Sequence, residues 1–316
     1  MAIIQTDGEN TQQQVTPEVS TNTVDSINTE SNVGGEEQPI QTTSFNGIAT
    51  PTIVNQTVPI VVFVGPPSSG KSMILVRLAK FLRSQGYTVK TDPTFLNTAQ
   101  YQQDCKEFER CLTTTTALQG TVKFLLVNIY KDGEEIAKLL EAPGEDFYTT
   151  DPAKTRAGKN DMIEPYLQAI MASRNIKSYV MLLDLDSDTS FRRDGNHRES
   201  YEQRILNHFY GNINKNRDRV VLLYNKIDET PFGDINGCSN PSGARRDAKM
   251  YYPAWFSAMK VTKLGGMVTV DNFSFKTFCT GMFALQTDSF GNKYKTYTIA
   301  DDKYPRELWK EIISKW

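Results

Sequence analysis

Apolar and polar positions divide the chain into two parts near Pro59. Residues 1–56 are rich in Thr, Gln, Asn, Ser and Glu, with few large apolar side chains and no helical or strand period. Such a segment buries too little apolar surface to offset the entropy lost on ordering. We therefore expect residues 1–56 to be a disordered polar tail, either a flexible leader or an arm that folds on a partner. Residues 57–316 are expected to form the globular domain.

The globular part begins with a strand and a helix joined by a glycine-containing loop. Ile60–Val64 is a continuous apolar run, which is typical of a strand buried on both faces. Between Lys71 and Gln85 the apolar residues recur at helical spacing, and Gly86 ends the pattern. The sequence thus predicts strand, loop and helix in direct succession.

Apolar runs and helical patterns alternate through the rest of the chain. An Asp132-Gly133 turn between two β-rich runs predicts an antiparallel hairpin, and the polar, Thr-rich region 91–120 before it is typical of a linker. The alternation predicts the α/β class, with a mostly parallel sheet covered on both faces and one antiparallel hairpin strand. The predicted elements are strands over Thr121–Ile129, Glu135–Glu141, Ser178–Asp184, Arg219–Tyr224 and Phe273–Cys279, helices over 161–174, Arg198–Tyr210 and Gly243–Lys263, a second hairpin over 282–299 and a closing helix over Pro305–Trp316.

Composition excludes several classes of function. The net charge is -2, but residues 1–58 contain seven acidic and no basic residues, so the remainder is mildly basic without a Lys/Arg block that favours nucleic acid. Four cysteines and two histidines show no zinc-ligand spacing. No run approaches the roughly 18 apolar residues of a membrane span, and the start lacks a secretory signal. We expect a cytoplasmic protein.

The loop after the first strand carries the strongest motif. Gly65-Pro-Pro-Ser-Ser-Gly-Lys-Ser72 fits the phosphate-binding pattern GxxxxGK[ST] at every specified position, between a strand and a helix. Backbone N–H groups and the helix N-terminus would meet the phosphates, Lys71 would neutralise the β and γ phosphates, and Ser72 would bind Mg²⁺. The predicted phosphate-binding residues are Gly65, Pro66, Pro67, Ser68, Ser69, Gly70, Lys71, Ser72 and Met73.

A second motif concerns the base. Asn225-Lys226-Ile227-Asp228 directly follows the predicted strand Arg219–Tyr224 and fits NKxD. The Asp228 carboxylate can accept two hydrogen bonds from N1–H and N2–H₂ of guanine, whereas adenine would leave it unpaired. Asn225 would brace the loop and the Lys226 stem would lie against the base. The nucleotide expected here is GTP or GDP.

These motifs and Glu141-Ala-Pro-Gly144-Glu145 together resemble the Ras-like GTPases of the translation-factor-related class, over roughly residues 59–281. The resemblance implies a three-layer α/β/α P-loop fold, the Ras-like G domain. It further implies that Gly144 donates its N–H to the γ phosphate and that Glu145 holds the attacking water. Glu141 stands where the family has Asp, so its longer carboxylate would reach Mg²⁺ through water. Slow intrinsic hydrolysis is expected.

The same resemblance places the first switch loop in the Thr-rich stretch before the hairpin. Thr116, which precedes Glu141 by 25 residues, is favoured over Thr113 as a Mg²⁺ ligand. Arg110 is similar in position to the internal catalytic arginine of heterotrimeric G-protein α subunits. For the backbone contact to guanine O6 there are two options, residues 257–259 and Phe278-Cys-Thr-Gly281, of which we favour Cys279 and Thr280 because they end a predicted strand.

The predicted function is a regulatory GTPase that hydrolyses GTP to GDP with Mg²⁺, acts as a molecular switch through loops at about 110–119 and 144–160, and works with a regulatory or effector protein. Two alternatives stay open. One is a P-loop ATPase or kinase in which the NKxD pattern is accidental. The other is a nucleotide-dependent scaffold without hydrolysis, which Glu141 and Glu145 favour.

Overall fold

A computed structural model describes residues 55–96, 98–114, 125–144, 165–183, 195–263, 267–287, 289, 291 and 293–314. Seven strands form its central sheet, and helices and two small hairpins surround it. The predicted polar tail, apart from its last two residues, lies outside these ranges.

The central sheet is mostly parallel. Its spatial order is β2-β3-β4-β1-β5-β6-β9, and β3 alone runs antiparallel to its neighbours β2 and β4. The first strand lies at the centre and every one of its residues is buried, which explains its unbroken apolar run. The strands are β1 Ile60–Val64, β2 Thr88–Thr91, β3 Leu125–Lys131, β4 Glu134–Glu141, β5 Lys177–Leu183, β6 Arg219–Tyr224 and β9 Ser274–Thr277. This confirms the predicted α/β sheet with one antiparallel strand.

Both predicted hairpins form. Asp132 and Gly133 join β3 to β4 with positive φ angles of 53° and 89°, as a tight two-residue turn requires. The second hairpin pairs β10 Gly281–Thr287 with β11 Lys293–Ile299 as a separate two-stranded sheet. An additional hairpin, β7 Lys260–Lys263 with β8 Val268–Asp271, was not predicted.

The helices cover the sheet and close the core. They are α1 Lys71–Ser84, α2 Ala99–Thr113, α3 Pro165–Ala172, α4 Gly195–Arg204, α5 Pro241–Tyr251, α6 Pro253–Ala258 and α7 Lys303–Ile313, with a π-helical turn at Ile205–Phe209 and 3₁₀ turns at Tyr210–Asn212 and Ile227–Glu229. The closing helix α7 buries Leu308, Trp309 and Ile312.

Two expectations about secondary structure were wrong. The polar region from Thr91 to Gly120 is not a linker, because it contains α2, whose N-terminus is capped by the Thr98 hydroxyl accepting from the Tyr101 N–H. The single helix expected over Gly243–Lys263 is interrupted, because Pro253 starts a new helix and the chain turns into β7 at Lys260.

Candidate nucleotide-binding site

Four loops that carry predicted site residues leave the carboxyl ends of parallel strands. The phosphate loop follows β1, Ala142–Gly144 follows β4, and Asn225–Asp228 follows β6. Phe278–Thr280 follows β9, which pairs with β6. Since β4, β1, β5, β6 and β9 are adjacent and parallel, all four loops lie at one edge of the sheet, where open α/β sheets bind ligands.

The phosphate loop turns tightly between β1 and α1. Ser68 and Gly70 have positive φ angles of 62° and 92°, so the chain reverses at these two positions. The Ser69 hydroxyl donates to the carbonyl of Pro66 at 2.8 Å, and this hydrogen bond stabilises the turn. Gly70 is the N-cap of α1 and gives it no side-chain cap. The first N–H groups of a 14-residue helix are therefore left for an anion.

Lys71 lies within this loop. Its ammonium donates to the carbonyl oxygens of Gly65 and Pro66, both at 3.0 Å, and the residue is 6% exposed. A charged group held against the backbone of a glycine loop suits a phosphate oxygen, which can replace the weaker carbonyl acceptors.

Ser72 and Glu141 meet beside the loop. The Ser72 hydroxyl donates to Oε1 of Glu141 in a short hydrogen bond. Among the described residues Oε2 of Glu141 is buried without a hydrogen-bond partner. Burial raises the pKa of the Glu141 carboxyl to about 7, although the Lys71 ammonium and the Ser72 hydroxyl oppose the shift, and the Asp104 carboxylate adds to it.

This pair fits a magnesium ion. Hydroxyl and carboxylate oxygens are the donors that Mg²⁺ prefers, and an unpaired buried oxygen is costly unless a cation or donor meets it. The described residues hold no group of three or more His, Cys, Asp or Glu side chains able to bind a metal. Ser72 and Glu141 would hold the ion together with the phosphates.

Gly144 packs directly on the phosphate loop. A Cβ atom added to it would lie 2.2 Å from the backbone nitrogen of Pro67 and 2.5 Å from the carbonyl carbon of Pro66. Both neighbours are backbone atoms, so they cannot rotate away. Only glycine allows the loop after β4 to approach the phosphate loop this closely.

We expect Gly144→Ala to lower the free energy of unfolding by about 2 kcal/mol, because the added methyl group overlaps backbone. Chemical denaturation measures this loss. Gly211→Ala is the matched control, since its Cβ would meet only the Leu206 carbonyl oxygen at an ordinary 3.6 Å. Equal stability of the two variants would contradict the close approach.

Asn225 connects the phosphate loop to the loop after β6. Its side-chain N–H₂ donates to the carbonyl of Ser69 at 3.0 Å, and the residue is 5% exposed. A Cβ atom on Gly70 would lie 2.7 Å from the same amide nitrogen, so a larger residue there would displace Asn225. The phosphate loop and the loop after β6 therefore lie side by side, although β5 lies between β1 and β6 in the sheet.

The loop after β9 supports Asp228. The Ile227 N–H donates to the Phe278 carbonyl at 3.1 Å, and the thiol of Cys279 donates to Oδ1 of Asp228 at 3.0 Å. Burial, together with the Asp228 carboxylate, raises the pKa of the Cys279 thiol well above its ordinary value, so the thiol stays protonated and able to donate. Lys226 lies between Asn225 and Ile227 with a left-handed φ of 54°.

The two options for the guanine O6 contact differ in placement. Cys279 and Thr280 are buried and follow β9, beside Asp228. Residues 257–259 lie at the end of α6, where the Met259 N–H bonds the Trp255 carbonyl. The sequence did not anticipate that the Cys279 side chain, besides its backbone, would contact Asp228.

The predicted switch residues do not lie together in a described loop. Arg110 is not on a loop but in the last turn of α2, where its guanidinium donates to Glu107 at 2.6 and 2.8 Å. The expectation of a loop position was wrong, because the periodic apolar residues of this region fold it into a helix. Thr113 ends α2, while Thr116 and Glu145 lie outside the described residues.

Comparison with known proteins gave structural matches only. No family model and no curated protein matches the chain. A candidate nucleolar GTP-binding protein 1 of Plasmodium falciparum is 14% identical with a TM-score of 0.35, and the match covers 72% of this chain and 79% of that one. The Ski7 GTPase-like domain of S. cerevisiae, bound to GDP and inorganic phosphate, is 15% identical with a TM-score of 0.36. That match covers 71% of this chain and 43% of the other.

A third structure is the signal recognition particle receptor SRb-GTP/SRX complex of Chaetomium thermophilum, 14% identical with a TM-score of 0.31, covering 71% of this chain and 90% of that one. Such remote likeness does not identify a substrate or a partner. The strand order, the single antiparallel strand and the glycine-containing loop after the central strand define the chain as an α/β protein with a mostly parallel sheet. No described helix is long and apolar enough to cross a membrane.

Proposed function

We propose that the protein binds GTP and GDP with Mg²⁺ and hydrolyses GTP slowly, as a cytoplasmic molecular switch that acts through a regulatory or effector protein. The observation that carries the proposal is the bond from Asn225 to Ser69, which joins the loop for the phosphates to the loop for the base. One nucleotide can then contact both loops at the same edge of the sheet.

Guanine fits the base loop better than adenine. Asp228 presents a carboxylate whose Oδ1 already accepts one bond from Cys279, so the group is fixed in orientation. Guanine offers two adjacent donors, N1–H and the 2-amino group, to such an acceptor. Adenine has an acceptor at N1 and no 2-amino group, so Asp228 would lose both of these bonds to the base.

Within this proposal, Ser72 and Glu141 hold Mg²⁺, and Lys71 binds the β and γ phosphates. The ion would supply charge neutralisation as the phosphoryl group is transferred. Lys71 orients the phosphate chain against the loop, and the Gly144 N–H can bond a γ-phosphate oxygen from beside Pro67. The roles that the resemblance implies for three further residues are part of the proposal. Thr116 would be a Mg²⁺ ligand, Glu145 would hold the attacking water, and Arg110 would act as the internal catalytic arginine.

Single-turnover assays with excess protein over nucleotide test the function. We expect Mg·GTP to be cleaved to GDP and Mg·ATP to stay intact, because the site selects the guanine edge before any chemistry. Preferential cleavage of ATP would contradict the proposal and favour an ATPase or kinase. Tight GTP binding without cleavage would retain the base assignment and identify a non-hydrolysing scaffold, which Glu141 in the place of Asp favours.

A further inference from the structure

Arg77 is a buried charged residue that the proposed reaction does not use. It lies on α1, the helix that begins at the phosphate loop, and it is 1% exposed. Its guanidinium donates to the carbonyl of Ala300 at 2.8 Å and to Oδ1 of Asp302 at 2.6 Å. These acceptors lie where β11 ends and α7 begins.

A buried arginine needs a physical reason. Desolvating a guanidinium is costly, and apolar side chains of similar volume often stabilise a core at least as well. What arginine adds is a rigid planar group, and Nη2 of Arg77 donates both bonds, so the two acceptors are held in fixed directions. Arg77 therefore fixes the position of the segment Ala300–Asp302 relative to α1.

The fixed segment in turn contacts the loop after β9. The Ala300 N–H donates to the carbonyl of Thr280 at 3.2 Å. The next residue, Gly281, pairs with Ile299, and a Cβ atom on Gly281 would lie 2.0 Å from the Thr298 carbonyl oxygen. The chain after β9 thus lies directly against the end of β11, with no room for adjustment.

The last contact reaches the base-recognition residue. Cys279, which precedes Thr280, donates its thiol to Asp228 at 3.0 Å. A continuous series of bonded neighbours consequently runs from Arg77 through Ala300 and Thr280 to Asp228.

We propose that Arg77 is a positioning residue for base recognition, which holds Ala300 and through it the Cys279–Thr280 loop that orients the Asp228 carboxylate. The proposal rests on the proposed function, since it assigns Arg77 to the selectivity of the same site. It also gives the C-terminal hairpin and α7 a role, because they supply the acceptors that Arg77 holds.

Selectivity between GTP and inosine triphosphate measures this positioning. Inosine triphosphate lacks only the 2-amino group, so the ratio of the two affinities reports the second hydrogen bond to Asp228. Contacts to the phosphates are common to both ligands and cancel in the ratio. A variant that only loosens the fold or the phosphate loop lowers both affinities by the same factor.

The experiment is titration calorimetry of the full chain with Mg·GTP and Mg·inosine triphosphate, on wild type, Arg77→Met and Asp302→Ala. We expect Arg77→Met to lower the ratio by about tenfold, within the range of contacts that act on a site indirectly. Asp302→Ala removes one acceptor from a half-exposed position and should lower the ratio less, in the same direction. If Arg77→Met does not fold, the affinity ratio of Asp302→Ala tests the positioning role instead.

Lys177→Met is the matched control. Lys177 is also a fully buried cation, bonded to the carbonyls of Met171 and Ser173, but it lies at the amino end of β5, at the opposite edge of the sheet. This variant should lose stability and keep the ratio.

Two results would overturn the positioning role while leaving the proposed function intact. One is a wild-type ratio in both Arg77→Met and Asp302→Ala, whether or not the two affinities fall together. The other is an equal fall of the ratio in Lys177→Met. Failure of the wild-type protein to bind either nucleotide would overturn the proposed function and this role together.

Discussion

Replacing Lys71 with Ala should reduce GTP binding by at least about 100-fold, equivalent to about 3 kcal/mol, because it removes the one charged donor held inside the phosphate loop. The loss should be similar for other nucleoside triphosphates, since Lys71 is proposed to contact the phosphates rather than the base, and it should be smaller for GDP, which lacks the γ phosphate. Titration calorimetry or displacement of a fluorescent guanine nucleotide measures it.

Lys106→Ala is the matched control for this prediction. Lys106 lies on α2 and is exposed, so its removal takes away the same charge and leaves the loop unchanged. The control should bind GTP like wild type. Tight GTP binding by Lys71→Ala would show that the loop after β1 does not hold the phosphates.

Replacing Asp228 with Asn should transfer the preference from guanine to xanthine nucleotides. The Asn amide can accept from N1–H and donate to the carbonyl that xanthine carries at position 2, whereas it would meet the 2-amino group of guanine with a second donor. An unpaired buried donor of this kind is costly, so we expect the ratio of GTP to XTP affinity to change by about 1000-fold. Competition binding with the two nucleotides gives the ratio directly.

Glu229→Gln provides the control for the change at Asp228. It lies next to Asp228 in the same 3₁₀ turn, and its side chain is exposed, so it changes the same charge without touching the base edge. Its selectivity should equal that of wild type. If the Asp228→Asn variant still prefers GTP to XTP, Asp228 does not contact the base.

Local patterns in the sequence were enough to predict six of the seven strands of the described sheet and the loops at its edge, whereas the short strand β2 was not predicted. The unbroken apolar run of Ile60–Val64 required burial on both faces, and Asp132-Gly133 required a tight turn. Motifs with fixed spacing predicted the positions of the phosphate loop and the base loop, because each motif depends on backbone geometry that a few residues encode. The Gly65–Ser72 loop therefore lies where the pattern predicted it.

Contacts between distant parts of the chain could not be predicted in this way. Helix α2 was missed because its many polar residues obscured the apolar period of Tyr101, Cys105, Phe108 and Leu112. The pairing of Arg77 with Ala300 joins residues 223 positions apart, and nothing local to either one indicates it. The thiol contact of Cys279 with Asp228 likewise depends on β6 and β9 being neighbours.

Equilibrium titration of the nucleotide-stripped wild-type protein with Mg·GTP and Mg·ATP tests most directly whether a single crevice binds guanine nucleotide. The Asn225 bridge between the two loops predicts one GTP per chain. The affinity for ATP should be weaker by at least about 1000-fold, because adenine lacks the two donors that Asp228 would accept from guanine. Equal affinities, or no binding of GTP at all, would contradict it.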